Sequence, residues 1–209
     1  MGHRNASHGQ EPIRLFRSDV LEFFTHIHPA IVAAIYGPAV LYLAYRAIAG
    51  RQGALWHLPF AFVLGLGLWT LAEYVLHRFL FHFRPRSPRQ ERLAFLFHGV
   101  HHAQPRSKTR LVMPPAVSIP LAALFYGLFW AATTLLGAGG WLAPLFGGFL
   151  AGYLAYDMTH YSLHHAAIRS GYLARIRGHH MRHHGQTPNQ RFGVTSDVWD
   201  RVFGTLPRA

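Results

Sequence analysis

The sequence predicts an all-α integral membrane protein, with four transmembrane helices in two hairpins and a cytoplasmic helical cap beyond the helix ends. Two observations support this fold class: four nearly charge-free apolar runs, and an uneven distribution of basic residues around them. Each run approaches the ~17 to 25 residues that a membrane-spanning helix needs. The predicted spans are about 29–48, 55–76, 111–137 and 141–159.

Short connections pair these spans, so both hairpins begin and end on one face of the membrane. Of the 20 basic residues, three precede the first span, eight lie between the second and third, and seven follow the fourth; Arg46 and Arg51 alone fall on the other face. Lys and Arg concentrate in cytoplasmic loops. We therefore expect both termini to be cytoplasmic, and the positive charge implies no nucleic-acid partner.

The rest of the composition excludes several classes of protein and functional site. The 209 residues include 17 His, eight carboxylates and no Cys, which excludes disulfide scaffolds, iron–sulfur clusters and cysteine nucleophiles. Because the chain has no Cys, any metal must bind to His, carboxylate or backbone groups.

Residues 1–20 are expected to form a polar tail without a signal-peptide pattern, and 21–209 a single membrane domain.

Twelve of the histidines fall in two stretches, 77–102 and 160–184, each of which begins where an even-numbered span ends. The spacings are His77-x4-His82, His98-x2-His101-His102, His160-x3-His164-His165 and His180-x2-His183-His184. Positions i, i+3 and i+4 share a helix face, so each HxxHH element is expected to converge on one point, as are His160 and His164. The remaining five are expected to be structural or incidental: His3, His8, His26, His28 and His57.

Two details of this pattern stay open from spacing alone. His77 and His82 are five residues apart and diverge by roughly 140° on an α-helix, which suits a helix that lies between two metals or one that bends. The two stretches also resemble a pseudo-repeat, in which 71–77 aligns with 154–160. That alignment places His82 opposite His165, so His164 and His165 both remain candidate ligands.

Ten or more histidines exceed what one ion accepts, so we expect two metals with about five nitrogens each and a position left for oxygen or water. Imidazole suits iron, zinc, copper or nickel rather than magnesium or calcium. Glu73 and Asp157 precede His77 and His160 by four and three residues, and are expected to orient these imidazoles. A metal transporter would place its ligands inside the spans, and a zinc hydrolase would need only three.

Several longer strings resemble the fatty acid hydroxylase superfamily, and more narrowly its fatty acid 2-hydroxylase (sphingolipid α-hydroxylase) branch. The resemblance covers about 71–205 and includes four histidine boxes in order. It rests on the strings EYVLHRFLFH from Glu73, HGVHH from His98, RLVMPP from Arg110, GYLAYDMTHY from Gly152 and FGVTSDVWDRVFGT from Phe192. It implies a di-iron centre, with His165 and His179 as neighbours, bound by His77, His82, His98, His101, His102, His160, His164, His180, His183 and His184.

The resemblance also implies an O2-dependent hydroxylase of lipid acyl chains, acting at the 2-position of a fatty acid or of a sphingolipid-like acyl group. Zinc would be a substitute for iron in a purified sample. Residues 1–19 could not form the cytochrome b5-like domain of the eukaryotic relatives, so we expect a separate donor such as a cytochrome b5, a ferredoxin or a reductase. The composition favours a bacterial inner membrane over the endoplasmic reticulum. Alternatives are a sterol oxidase, a desaturase, a hydroxylase of bacterial amino-lipids and, outside enzymes, the metal transporter.

Overall fold

The computed structural model describes residues 12–50 and 55–207, and in these ranges the chain is helical without strands, in agreement with the predicted class. Two π-helical turns, Leu76–Phe81 and Phe95–Gly99, continue the third and fourth α-helices, and a 3-10 turn precedes the seventh at Gly139–Trp141. The α-helices are α1 (Asp19–Phe23), α2 (Pro29–Ala49), α3 (His57–Val75), α4 (Pro88–Ala94), α5 (Val100–Ala103), α6 (Pro115–Leu135), α7 (Leu142–His165), α8 (Gly171–Gly185) and α9 (Val198–Val202).

Three helices in the described chain are long and apolar enough to cross a membrane: Pro29–Ala49, the continuous helix His57–Phe81 and Pro115–Leu135. They correspond to the first three predicted spans. The third begins at Pro115 rather than near 111, because Pro114 and Pro115 set a helix start and the chain before them is not helical. The fourth predicted span, 141–159, lies in α7, which is long enough but less apolar than the other three.

Helix α7 is the centre of the bundle and packs most extensively against α3 and α2. Its Gly148 lies against α3 so closely that an added Cβ would be 2.0 Å from the carbonyl oxygen of Phe62. Next to this crossing, Phe149 packs its ring against Trp69, Phe125 and Phe129, with centroids 4.7–5.1 Å apart. The tight crossing fixes the ends of the continuous helix His57–Phe81 and of α7, which carry the first histidines of both stretches.

The N-terminal segment packs against the loop before α6. Glu22 accepts hydrogen bonds from the backbone N–H groups of Leu15 and Phe16, and its carboxylate pairs with the buried guanidinium of Arg110. Ser18 caps α1 by accepting from Leu21 N–H. Residues 12–20 of the expected tail therefore belong to the folded structure, while residues 1–11 lie outside the described ranges.

Candidate metal centre

The structure gathers ten histidines into two clusters of five. The first cluster consists of His77, His82, His98, His102 and His183, and the second of His101, His160, His164, His180 and His184. In each cluster one ring nitrogen per residue lies within 4.8 Å of all the others. These are the ten histidines that the family resemblance implied, although the sequence did not assign them to separate ions.

Each HxxHH element contributes to both clusters. His98 and His102 belong to the first cluster and His101 to the second, whereas His180 and His184 belong to the second and His183 to the first. The expectation that each element converges on one point was therefore wrong. Positions i+3 and i+4 lie on opposite sides of position i, about 100° apart from each other on the helix. One HxxHH element can therefore supply ligands to two ions that lie side by side.

His77 and His82 share the first cluster because the helix widens between them. Residues Leu76–Phe81 form a π-helical turn, in which the N–H of His82 donates to the carbonyl oxygen of His77 at 3.1 Å. This i to i+5 bond stacks the two residues on one face, whereas an α-helix would separate them. A widened helical turn is thus the arrangement found, rather than a regular helix between two metals.

The spacing of the ring nitrogens tests whether a metal fits. His180 Nε2 lies 3.0, 2.9 and 3.1 Å from the Nε2 atoms of His160, His164 and His184. One ring nitrogen carries either a hydrogen or a lone pair, so it cannot hydrogen-bond to three others. Two imidazole nitrogens about 2.1 Å from a common ion, at right angles to each other, would be about 3.0 Å apart. The donor set therefore fits a cation that the ligands share.

The imidazoles are also held in their neutral form. Burial, with a smaller contribution from neighbouring imidazoles, lowers the pKa of His82 to about 3 and that of His102 to about 4. Burial likewise lowers the pKa of His183 to about 4. Neutral rings keep a lone pair on one nitrogen, as metal binding requires.

The other histidines lie outside both clusters in the described chain. His165 packs its ring on Tyr161, with centroids 4.5 Å apart, and His179 Nε2 lies 3.1 Å from Asp200. His26 contacts Thr109 and Arg110, His28 caps α2, and His57 stacks on Trp141. Spacing alone left both His164 and His165 as candidate ligands, and the structure brings His164 into a cluster but not His165. His3 and His8 lie outside the described residues.

Glu73 and Asp157 are buried, but their carboxylates accept hydrogen bonds from groups other than the expected imidazoles of His77 and His160. Glu73 accepts from the backbone N–H groups of Val194 and Thr195, at 2.7 and 2.8 Å, and from the Thr195 hydroxyl at 2.5 Å. Asp157 accepts from the N–H of Met113 at 3.4 Å. Within the described residues neither carboxylate hydrogen-bonds to an imidazole, because one faces the C-terminal loop and the other the chain that enters α6.

Sequence reasoning missed Asp200, which is fully buried beside the first cluster. It accepts from the N–H groups of Phe192 and Gly193, the hydroxyl of Thr205 and the ring of His179. Burial opposes its ionisation, but these hydrogen bonds outweigh burial and keep the pKa of Asp200 below its usual value. The signal in the sequence was an acidic residue in a chain with only eight carboxylates, inside the string that begins at Phe192.

A mostly apolar cavity of about 330 Å³ opens onto the clusters. One wall contains His98 of the first cluster with His101 and His160 of the second, together with Tyr156 and Asp157. The other lining residues come from the N-terminal segment, from α4 and the π-helical turn after it, and from the start of α6 and the chain before it; they include Leu15, Phe24, Leu96, Val112, Ala116 and Val117. A cavity of this size accommodates part of a small apolar ligand next to both metal positions.

Comparison with known proteins shows which protein family the chain belongs to. The family model of the fatty acid hydroxylases matches residues 62–205, which include all ten clustered histidines. The chain belongs to the fatty acid hydroxylase family. It is a lipid-hydroxylating enzyme, and hence an oxidoreductase, as the resemblance implied.

Relatives of this fatty acid hydroxylase cover nearly its whole length. It is 37% identical over 198 residues to the dihydroceramide fatty acyl 2-hydroxylase FAH1 of Arabidopsis thaliana, covering 95% of this chain and 81% of that one. It is 38% identical over 215 residues to the fatty acid 2-hydroxylase of Rattus norvegicus, covering 93% of this chain and 57% of the other. The solved structure of full-length scs7p, in which only the hydroxylase domain is visible, matches with a TM-score of 0.82 and 38% identity over 91% of this chain and 70% of that one.

Proposed function

We propose that this fatty acid hydroxylase is a membrane-bound di-iron enzyme that uses O2 to hydroxylate lipid acyl chains. The favoured position is carbon 2 of a fatty acid or of the acyl group of a sphingolipid-like lipid. One observation carries the proposal: a single apolar cavity touches histidines of both five-imidazole clusters. The names of the relatives, which include fatty acid and dihydroceramide fatty acyl 2-hydroxylases, support the position and the substrate class.

The ten clustered histidines are the ligands of two iron ions in this proposal. Five imidazoles exceed the four ligands of a structural zinc site, and zinc has no redox chemistry with which to hydroxylate a C–H bond. Bound iron supplies the activation of dioxygen, with two electrons delivered by a separate donor protein such as a cytochrome b5, a ferredoxin or a reductase. Zinc remains the substitute expected in samples purified without iron.

The chain's own residues position the substrate and exclude water. Apolar side chains such as Leu96, Val112 and Val117 enclose an acyl chain beside the clusters, and this enclosure keeps water from the reacting carbon. The Asp157 carboxylate is a buried hydrogen-bond acceptor on the cavity wall. It accepts a hydrogen bond from an N–H or O–H group at the polar end of the lipid, which places the first carbons of the acyl chain near the metals.

The placement of the site suits a substrate that stays in a membrane. Helix α7 is the proposed fourth span, because its 24 residues pack against α2 and α3 and end at the second cluster. The excess of Lys and Arg around the histidine-bearing ends makes that side cytoplasmic, together with both termini. A bacterial inner membrane is the proposed location.

Lipid mass spectrometry of cells with and without the protein tests this function. We expect acyl chains that have gained one oxygen atom, with fragmentation placing the hydroxyl on carbon 2. His101→Ala, which removes a ligand next to the cavity, should abolish the product, whereas His165→Ala should retain it. An absence of hydroxylated lipid despite bound iron and a competent reductase contradicts the proposal. A hydroxyl elsewhere on the chain, on a sterol or on an amino-lipid favours the alternative oxygenases.

A further inference from the structure

The two clusters differ in how the protein holds the outer nitrogens of their imidazoles. In the first cluster, His77 Nδ1 lies 2.5 Å from the carbonyl oxygen of Phe192, and His183 Nδ1 lies 2.7 Å from that of Gln190. Their Nε2 atoms face the other ligands. In the second cluster, four buried Nδ1 atoms have no hydrogen-bond partner in the described part of the chain: those of His101, His160, His180 and His184.

The two carbonyl groups belong to one loop, residues 190–195, which follows the last histidine in the chain. Buried carboxylates hold this loop from two sides: Asp200 binds the amides of Phe192 and Gly193, both at 2.8 Å, and Glu73 binds those of Val194 and Thr195. Gly193 lies so close to the turn that an added Cβ would be 1.8 Å from the carbonyl oxygen of Ser196. The carbonyl oxygens are thus fixed in place by the surrounding chain.

We propose that residues 190–205 form a C-terminal clamp that makes the first cluster the tighter of the two metal sites, with Asp200 and Glu73 as positioning residues. A carbonyl that accepts from Nδ1–H keeps the hydrogen on that nitrogen, leaves the lone pair of Nε2 towards the metal and fixes the ring's orientation. Four of the five rings of the second cluster have no such partner among the described residues. The clamp rests on the proposed assignment of the ten histidines as ligands.

Metal retention tests the clamp without measuring hydroxylation. Purified full-length protein is loaded anaerobically with iron(II) and equilibrated with increasing concentrations of a chelator, and iron per chain is then measured. Wild type should lose one ion at low chelator concentration and keep the other. In Asp200→Asn the retained ion should bind about 10- to 100-fold more weakly, so that the two ions leave together. The matched control is Asp197→Asn, because Asp197 pairs with Arg175 and Arg201 and not with the loop amides.

Ligand variants identify which ion is the tight one. His183→Ala should remove the tightly held ion, whereas His164→Ala should remove the weakly held one. Thr195→Val deletes one hydrogen bond to Glu73 and should lower the affinity for the tightly held ion, though by less than Asp200→Asn does. It takes the place of Asp200→Asn if that variant does not fold. Equal affinities in wild type, or wild-type retention in Asp200→Asn, overturn the clamp but leave the proposed function intact. A wild type that binds no iron overturns both.

Discussion

Gly65 of α3 and Leu145 of α7 bring the two helix backbones into close contact, since a Cβ on Gly65 would lie 2.0 Å from the carbonyl oxygen of Leu145. Small residues let two helix backbones approach within a membrane, where packing rather than hydrophobicity favours association. This crossing sets the separation between the helices that carry His77 and His160. We therefore expect the distance between the two clusters to depend on Gly65, a residue more than three helical turns before His77, the first clustered histidine.

Gly65→Ala should destabilise the protein, because the added methyl group forces α3 and α7 apart. Overpacking of this kind costs about 1–3 kcal/mol, and we expect a lower thermal midpoint in detergent together with reduced iron content. Gly67→Ala is the matched control on the same helix, since nothing lies within 4 Å of its added Cβ. Equal midpoints for the two variants would show that the crossing is not tight in solution.

His164→Ala should cost one of the two bound metal ions, while His165→Ala should cost none. The Nε2 atom of His164 lies 2.9 Å from that of His180 inside the second cluster, whereas His165 packs on Tyr161 outside it. The pair is informative because the two residues are of one type and adjacent in the same helical turn, but face different neighbours. Iron per chain, measured after gel filtration, checks the expectation, and loss of metal in His165→Ala would contradict the ligand set.

The resemblance named as one set the ten histidines that the structure gathers, but the sequence did not divide them between two clusters. Spacing placed His98, His101 and His102 on one helix surface, and that surface is wide enough to face two points. Nor could spacing reveal the π-helical turn at Leu76–Phe81, because widening of a helix depends on the tertiary contacts at its end. Asp200 was missed for a related reason: its partners lie on a loop whose path depends on the folded core.

Acid should weaken the fold of the metal-free protein between pH 6.5 and about pH 4. The folded-state pKa of His82 is about 3, and those of His102 and His183 are about 4, all below the ordinary value of 6.5. As the pH falls through 6.5 the unfolded chain takes up protons that the folded chain does not, so the free energy of unfolding decreases. Thermal midpoints at pH 8 and pH 5 measure this, and equal midpoints would mean that the imidazoles are not buried as described.

Ala116→Phe should impair substrate binding without affecting metal content. Ala116 lies at the start of α6, lines the 330 Å³ cavity and has an exposed side chain, so a larger residue is accommodated there without opening the core. The new ring occupies space that the acyl chain needs, and we expect a higher KM and a preference for shorter chains. Ala132→Phe, on an exposed part of the same helix that does not line this cavity, controls for the added bulk. Unchanged KM and chain-length preference in Ala116→Phe, with iron content intact in both variants, would place the acyl chain outside this cavity.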